Sequence, residues 1–461
     1  MEWDAFEDWG AKISAWAADY HRTIAERPVR AQTAPGDIAQ EIAPNPPETG
    51  EPMGNILADF ERIVMPGITH WQHPRFFAYF PANAAPPSML ADFLVTTIAA
   101  QCMLWQTSPA ATELEARMVD WMAQALGLDG MTGVIQDSAS SATLSAVLTM
   151  RERATSFTSN REGLSGKGRI RIYCSEECHS SIDRACWVAG IGQDNLIKIS
   201  TVGRTYAMDP DALSAAIAAD RAAGHMPAGI IAIAGGTGIG ACDDLHAIAD
   251  IAAREELYTH LDAAWAGSAM IAEDLRDPIW NGSDRFDSVV FNPHKWLGAQ
   301  FDCSIQFLRD ATPQLNTLKI EPEYLKTSGE MVTNYSEWTI PLGRRFRALK
   351  LWFLLRSYGL EDLRQRLRNH CTWAREACEV LRAAGYEIVT EPQLSLFTFR
   401  APGDDEAQQA LVDRINDDGR IYLTQGAFRG RKVIRFQVGQ FACTREDVMM
   451  GPAVIRELAG S

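Results

Sequence analysis

The chain has 461 residues, 46% of them hydrophobic and 22% charged, with a formal net charge of −16. That length exceeds one ordinary core, so two or three packed units are expected. The acidic balance argues against nucleic-acid or anionic-membrane partners, which need basic surface. No window reaches the ~18 uninterrupted apolar residues of a membrane span.

Nine cysteines are scattered along the chain. Cys174 and Cys178 have no second pair to complete a zinc site, so no metal is expected. An odd, dispersed set fits reduced thiols and a cytoplasmic location. The opening "MEWDAFEDWGAK" is acidic and amphipathic, unlike a signal peptide.

In chain order, residues 1–45 carry Trp3, Phe6, Trp9, Ile13 and Trp16 on one helical stripe. The stripe reads equally as packing on the protein's own core or as a dimer arm. Residues 44–53, "PNPPETGEPM", form a Pro-rich break. From about residue 86 to 310, helical stretches alternate with short apolar runs: "GVIQ", "RIRIYCS", "GIIAIAG", "LYTHLDA" and "SVVFNP". That alternation predicts an α/β unit with a mainly parallel central sheet flanked by helices. In such sheets ligands bind beyond the carboxyl ends of the strands. After about 350, a long helical stretch precedes "YEIVT", "LSLFTFR" and "VIRFQVG", a smaller α+β C-terminal domain. The expected division is residues 1–85, 86–350 and 351–461.

Four strand ends carry unusual residues. "GVIQDSASSATL" runs from a strand into Ser138, Ala139 and Ser140 at a helix start. Free N–H groups, hydroxyls and the dipole there suit an anion, though a plain serine cap reads the same. His179 follows "RIRIYCS", and an isolated histidine is more often a structural hydrogen-bonder than a catalyst. Asp262 ends "LYTHLD" before two alanines, a setting for a buried carboxylate with room for something flat. Lys295 ends "SVVFNPHK" beside His294, and a desolvated lysine becomes an amine nucleophile suited to a Schiff base. Trp296 next to it is expected to pack in the core beneath.

Each signal alone has an ordinary alternative; together they describe a site for pyridoxal phosphate. A competing pattern is "GGTGIGA", where Gly236, Gly238 and Ala241 match a dinucleotide fingerprint with Asp262 downstream. It lies deep inside the α/β unit and leaves Lys295 and the serine cradle without a role.

These residues resemble the group II pyridoxal-phosphate-dependent decarboxylases, and most closely the aromatic-L-amino-acid decarboxylases. The segments that carry the resemblance are "FFAYFPANAAPPSMLADFL", "SPAATELEARMVDW", "GVIQDSASSATL", "LDAAWAGSAMI", "FNPHKWLGAQFDCS" and "WTIPLGRRFRALKLWF". The resemblance implies a fold-type-I homodimer with its active site at the interface and the N-terminal segment wrapping the partner. It makes Lys295 the Schiff-base lysine, Asp262 the partner of the pyridine nitrogen and His179 the ring-stacking residue. Ser138, Ala139, Ser140 and Asn292 would bind the phosphate, and Thr237 and Ala264 would lie by the ring. His294 would touch cofactor or substrate, and Tyr324 would be the catalytic acid on a mobile loop. Trp71, Tyr79, Phe80 and Pro81 match the aromatic substrate pocket.

The implied reaction is decarboxylation of an L-amino acid, tryptophan, tyrosine, phenylalanine or dopa, to its amine. Three departures stand out. Ala82 replaces the threonine of animal members, Gln101 and Met103 occupy the wall reached from the partner, and Gly236-Thr237 is one threonine short. The first two bear on substrate choice, and Gln101 leaves a non-aromatic amino acid open. The rivals are an oxidative aldehyde synthase on the same scaffold and a non-catalytic cofactor-binding relative. The presence of both Tyr324 and His179 favours decarboxylation.

Overall fold

The computed structural model describes residues 2–277, 279–320 and 332–460. The chain divides into two compact units. One comprises Met1–Pro81, Trp373–Glu391 and Phe397–Ser461; the other comprises Ala82–Thr372 with Pro392–Leu396.

The second unit is built on β1 (Thr132–Gln136), β2 (Ile170–Ser175), β3 (Leu196–Ile199), β4 (Thr201–Val202), β5 (Ala207–Met208), β6 (Met226–Ile233), β7 (Tyr258–Asp262), β8 (Ser288–Phe291) and β9 (Ser304–Leu308). The short β4 and β5 pair as a ribbon, and the rest form one sheet in the order β1-β9-β8-β7-β6-β2-β3. From β8 through β7, β6 and β2 to β3 every pairing is parallel. Only β9 runs the other way, against both β8 and β1. Every residue of β2, β7, β8 and β9 is buried. That is why β2, β7 and β8 read as apolar runs and not as alternation: helices cover both faces. The helix Ala139–Ala154 lies on β6, β7, β8 and β9.

This topology sets where function can sit. The carboxyl ends of β1, β2, β6, β7 and β8 share one edge. The amino end of β9 joins them there, with Ser304 opposite Gln136 and Ile305 opposite Phe291.

The second sheet is β10 (Glu387–Gln393), β11 (Leu396–Arg400), β12 (Thr424–Phe428) and β13 (Arg431–Gln437), ordered β10-β11-β13-β12, and all of it but Pro392, Gln393 and Leu396 belongs to the first unit. Its core stacks Phe436 between Phe77 and Phe397, with ring centroids 4.5 and 5.3 Å apart. The expected long helical stretch is Ala348–Ala383, interrupted at Gly359. The N-terminal helix Trp3–Thr23 buries no residue fully. Trp16 packs against Phe60, but Trp3, Phe6 and Ile13 stay exposed. Among the described residues no helix is long and apolar enough to cross a membrane. The result is the α/β class read from the sequence, with its smaller α+β C-terminal part and helical N-terminus.

Candidate active site

The edge where the strands end gathers a cradle, a carboxylate, an imidazole and an amine. After β1 the chain passes Asp137 and turns into the helix Ala139–Ala154. Ser138 is its cap: extended backbone puts Oγ 3.2 Å from the Ser141 N–H, which donates to it. Ser138 Oγ also donates to Asp137 Oδ1 at 3.0 Å. The ordinary cap is therefore real, and it does not preclude an anion, since N–H groups in a helix's first turn have no partner within the helix.

β7 delivers Asp262, buried, with Oδ1 accepting the Ala264 N–H at 3.0 Å. The neighbouring strand clamps this turn, because Asn292 N–H donates to Ala264 O at 2.9 Å. Ala264 packs against Ala139, Ala142 and Val290. Small side chains from a helix and two strand ends thus make an apolar floor beside the carboxylate. Two residues back on β7, buried His260 shares hydrogen bonds with Ser288 Oγ (2.9 Å) and Thr143 Oγ1 (3.2 Å). Burial lowers its pKa to about 4, against the pull of Asp262, so it stays neutral.

Past β8, Pro293–Leu297 form a single wide helical turn that ends at Gly298, where φ is +112°. That value suits glycine and closes the turn at once. Lys295 is half-buried within it. Its carbonyl accepts from Asn83 Nδ2 at 2.8 Å, and Asn83 N–H donates to His294 O at 3.1 Å. Asn292 Oδ1 accepts from Ser304 Oγ, leaving the NH2 end of that amide to offer a ligand. His294 is buried, and its Nδ1 accepts the Cys303 N–H at 2.9 Å. Burial, then the charge of Lys295, push its pKa down to about 3, so the neutral ring carries its proton on Nε2.

His179 caps the helix Ser180–Val188, with Nδ1 accepting from the Ser181 N–H at 3.2 Å. Partial burial lowers its pKa, while Asp262 raises it and Lys295 lowers it. These three groups therefore feel one another's charge at one edge. Thr237 sits in the loop after β6. There Gly235 and Gly236 both donate their N–H to Ala241 O, at 2.9 and 2.8 Å. The "GGTGIGA" loop closes on itself and opens no helix; the next one, Leu245–Glu255, is capped by Asp244. A dinucleotide fingerprint needs those N–H groups and that helix start for a pyrophosphate, so the pattern is a turn here. A Cβ on Gly236 would stand 3.1 Å from Glu177 O and 3.1 Å from Ile233 Cδ1, which crowds out the missing threonine.

Trp296 does pack in the core: its ring stacks on Trp265 at 5.1 Å and its Nε1 donates to buried His370 Nδ1 at 2.8 Å. Asn83, Ser304 and His260 were not singled out by sequence reasoning. The signal for Asn83 was a lone amide among alanines and prolines.

Trp71, Tyr79, Phe80 and Pro81 belong to the first unit, where Trp71 stacks on Tyr79 at 5.7 Å and Arg435 lies over Phe80. Ala82 begins the second unit. Exposed Gln101 gives its Oε1 to the Arg344 N–H at 2.7 Å, and Met103 is half-buried with its carbonyl accepting from Ser336 N. Tyr324 lies outside the described residues.

Residues 35–402 match the family described as "Pyridoxal-dependent decarboxylase conserved domain". This chain belongs to that family. It is 36% identical to the aromatic-L-amino-acid decarboxylase of Cavia porcellus, over 100% of this chain and 98% of that one. It is 34% identical to the phenylacetaldehyde synthase of Arabidopsis thaliana, covering 100% and 96%. Its fold superposes on Oryza sativa TDC, solved with PLP and tryptamine, with a TM-score of 0.95 at 31% identity, covering 100% and 98%.

As a family member the protein is a carboxy-lyase whose cofactor is pyridoxal phosphate, on the fold-type-I scaffold. The residues fit that group. A helix N-terminus with hydroxyls suits a phosphate, the alanine floor suits a flat ring, and Asp262 and Lys295 offer a buried carboxylate and an amine at the same edge.

Proposed function

We propose that the chain decarboxylates aromatic L-amino acids to the corresponding amines, as a cytoplasmic homodimer. The observation that carries this reading is the placement of His179 after β2, Asp262 at the end of β7 and Lys295 after β8, all at the carboxyl edge of the sheet, beside the Ser138 cap. The aromatic preference is supported by the relatives above and by the Trp71–Tyr79 stack. Residues 1–85 would serve dimerisation, 86–350 cofactor binding, and 351–461 the small domain.

When bound, pyridoxal phosphate supplies a conjugated ring that takes up the electron pair left by departing carbon dioxide. Lys295 would hold that group through its Nζ amine, the nucleophile that the substrate's own amine would replace. Asp262 would favour a proton on the ring nitrogen, because a buried carboxylate favours a cation beside it. Neutral His179 offers a flat face for stacking. Ser138, Ala139, Ser140, Asn292 and Thr237 hold the phosphate and ring substituents. His294 donates its Nε2–H toward cofactor or substrate. Tyr324 delivers a proton to the substrate's α-carbon. Trp71, Tyr79, Phe80, Pro81 and Ala82, with Gln101 and Met103, select the side chain. Exposed Trp3, Phe6 and Ile13 of the N-terminal helix would be covered by a second copy.

The test is a panel of amino acids with both carbon dioxide and amine measured. Aromatic substrates should release the two in equal amounts. Aldehyde with hydrogen peroxide as main products would replace this reading with the oxidative one. Lys295→Ala should lose the yellow lysine-bound absorbance and all turnover. Tyr324→Phe should keep the colour and lose most amine formation; wild-type amine output from it would remove the acid role.

A further inference from the structure

Two thiols meet immediately before His179, and the chemistry above uses neither. Cys174, next to last in β2, is fully buried, while Cys178 lies half-buried in the turn that follows. Their sulfurs are 3.4 Å apart. The register of β2 with β3 sets Cys174 opposite Lys198. From there Lys198 Nζ reaches Cys178 Sγ at 2.9 Å and Asp183 Oδ2 on the next helix, also at 2.9 Å. The cluster thus holds a lysine pointed at one thiol of a pair, with a second thiol in contact.

The two sulfurs are electrostatically unequal. A hydrogen bond from Cys174 pulls the Cys178 thiol below its ordinary value, and Lys198 adds to this against burial. Burial, then Cys178 itself, push Cys174 the opposite way. A lysine-paired, partly accessible thiol whose ionisation is favoured, in contact with a buried thiol whose ionisation is disfavoured, is the arrangement of an attacking and a resolving cysteine.

We propose that Cys178 and Cys174 form an oxidation site for hydroperoxides, with Lys198 supporting the attacking sulfur. The Cys178 thiolate attacks a peroxide oxygen. The O–O bond breaks, and the leaving hydroxide takes up a proton as water, giving Cys178 sulfenic acid. Cys174 loses its proton and attacks that sulfur, the S–O bond breaks, and the departing hydroxide takes the proton as a second water. Two thiols are oxidised by two electrons to a disulfide, and one hydrogen peroxide is reduced to two waters. Closing the pair to a covalent bond needs about 1.4 Å of approach. β2 is held between two parallel neighbours, so the turn carrying Cys178 makes the movement. His179 is the next residue and moves with it. The loss of activity on oxidation rests on the proposed role of His179; the thiol chemistry does not.

The experiment treats cofactor-loaded protein with hydrogen peroxide, blocks remaining thiols with an alkylating agent and maps tryptic peptides without reduction. Ile172–Arg184 holds both cysteines and no other, so the reading is unambiguous. Wild type should convert this peptide to a form about 2 Da lighter that resists alkylation and is restored by dithiothreitol. Cys178→Ser should not convert. Cys174→Ala should leave a sulfenic acid on Cys178 that dimedone traps. Lys198→Met should slow the conversion about tenfold. Activity of wild type should fall several-fold with conversion and return on reduction, while Cys178→Ser keeps its activity under the same peroxide. Oxidation of other cysteines with Ile172–Arg184 still fully alkylated would overturn the proposal, even if Cys174→Ala fails to fold. Full conversion without change in activity would overturn the link to His179.

Discussion

At the scale of single residues, the side chains proposed to meet the cofactor are distinct from the group that holds the lysine's backbone. Lys295 is legible from sequence because a lysine at the end of a buried strand is out of place. Asn83 is not, because its partners are main-chain atoms that no side-chain pattern announces. Yet it donates to Lys295 O and to His294 O from a fully buried position. Asn83→Ala leaves the Lys295 carbonyl without that donor inside the protein, at a cost of about 1–3 kcal/mol. We expect a lower melting temperature and weaker pyridoxal phosphate binding in a reconstitution titration. Asn83→Asp should be worse than alanine, since a carboxylate would face a carbonyl. A variant with wild-type melting and wild-type cofactor affinity would remove this role.

At the scale of elements, legibility follows burial. β2, β7 and β8 are buried at every position, so they read as apolar runs that nothing else imitates. β3, "LIKI", exposes Lys198 and is too short to stand out. β9, "SIQFL", is buried throughout but hides its direction. That direction comes from the link. The residues between Phe291 and Ser304 are occupied by the Lys295 turn, leaving no room for a crossover helix, so β9 must return antiparallel. The loop after β6 shows the opposite limit. Its glycines spell a known pattern, and only the hydrogen bonds to Ala241 reveal a closed turn. Gly235 is the residue that permits it: φ is +79°, and an added Cβ would stand 2.7 Å from Ala266 Cβ. Gly235→Ala combines backbone strain with overlap, so it should destabilise by about 2–4 kcal/mol. Thermal unfolding of the variant with and without cofactor measures it. A loss below about 0.5 kcal/mol would mean the loop relaxes.

At the scale of the whole molecule, two properties follow from what the chain exposes and what it buries. The helix Pro86–Ile98 presents Leu90, Phe93, Leu94 and Ile98 to solvent, with Leu90 and Ile98 each 61% exposed. Their spacing makes one stripe, and a soluble monomer rarely leaves such a patch open. Phe93→Asp should shift a homodimer toward monomer in analytical ultracentrifugation, and an unchanged dimer would place the contact elsewhere.

Acid stability follows from the histidines. His73, His260, His294 and His370 are buried, and burial lowers their pKa values to about 3, 4, 3 and 3. Unfolded, each titrates near 6.5. As pH falls through 6.5 the unfolded chain takes up protons that the fold refuses, so stability falls with it. Asp243 works against this: burial pushes its carboxyl up to about 7, so between pH 4 and 7 the fold holds one proton the unfolded chain lacks. For these five groups, four less one leaves about three protons, a slope on the order of 4 kcal/mol per pH unit once all are engaged, and His21, His70 and His179, which burial also lowers, act in the same direction. Urea unfolding with saturating cofactor, from pH 7 to pH 5, should show stability dropping with increasing steepness. His370→Gln keeps an acceptor for Trp296 Nε1 and removes one titrating group, so its slope should be shallower by about one proton. An unchanged slope in that variant would mean His370 titrates alike in both states.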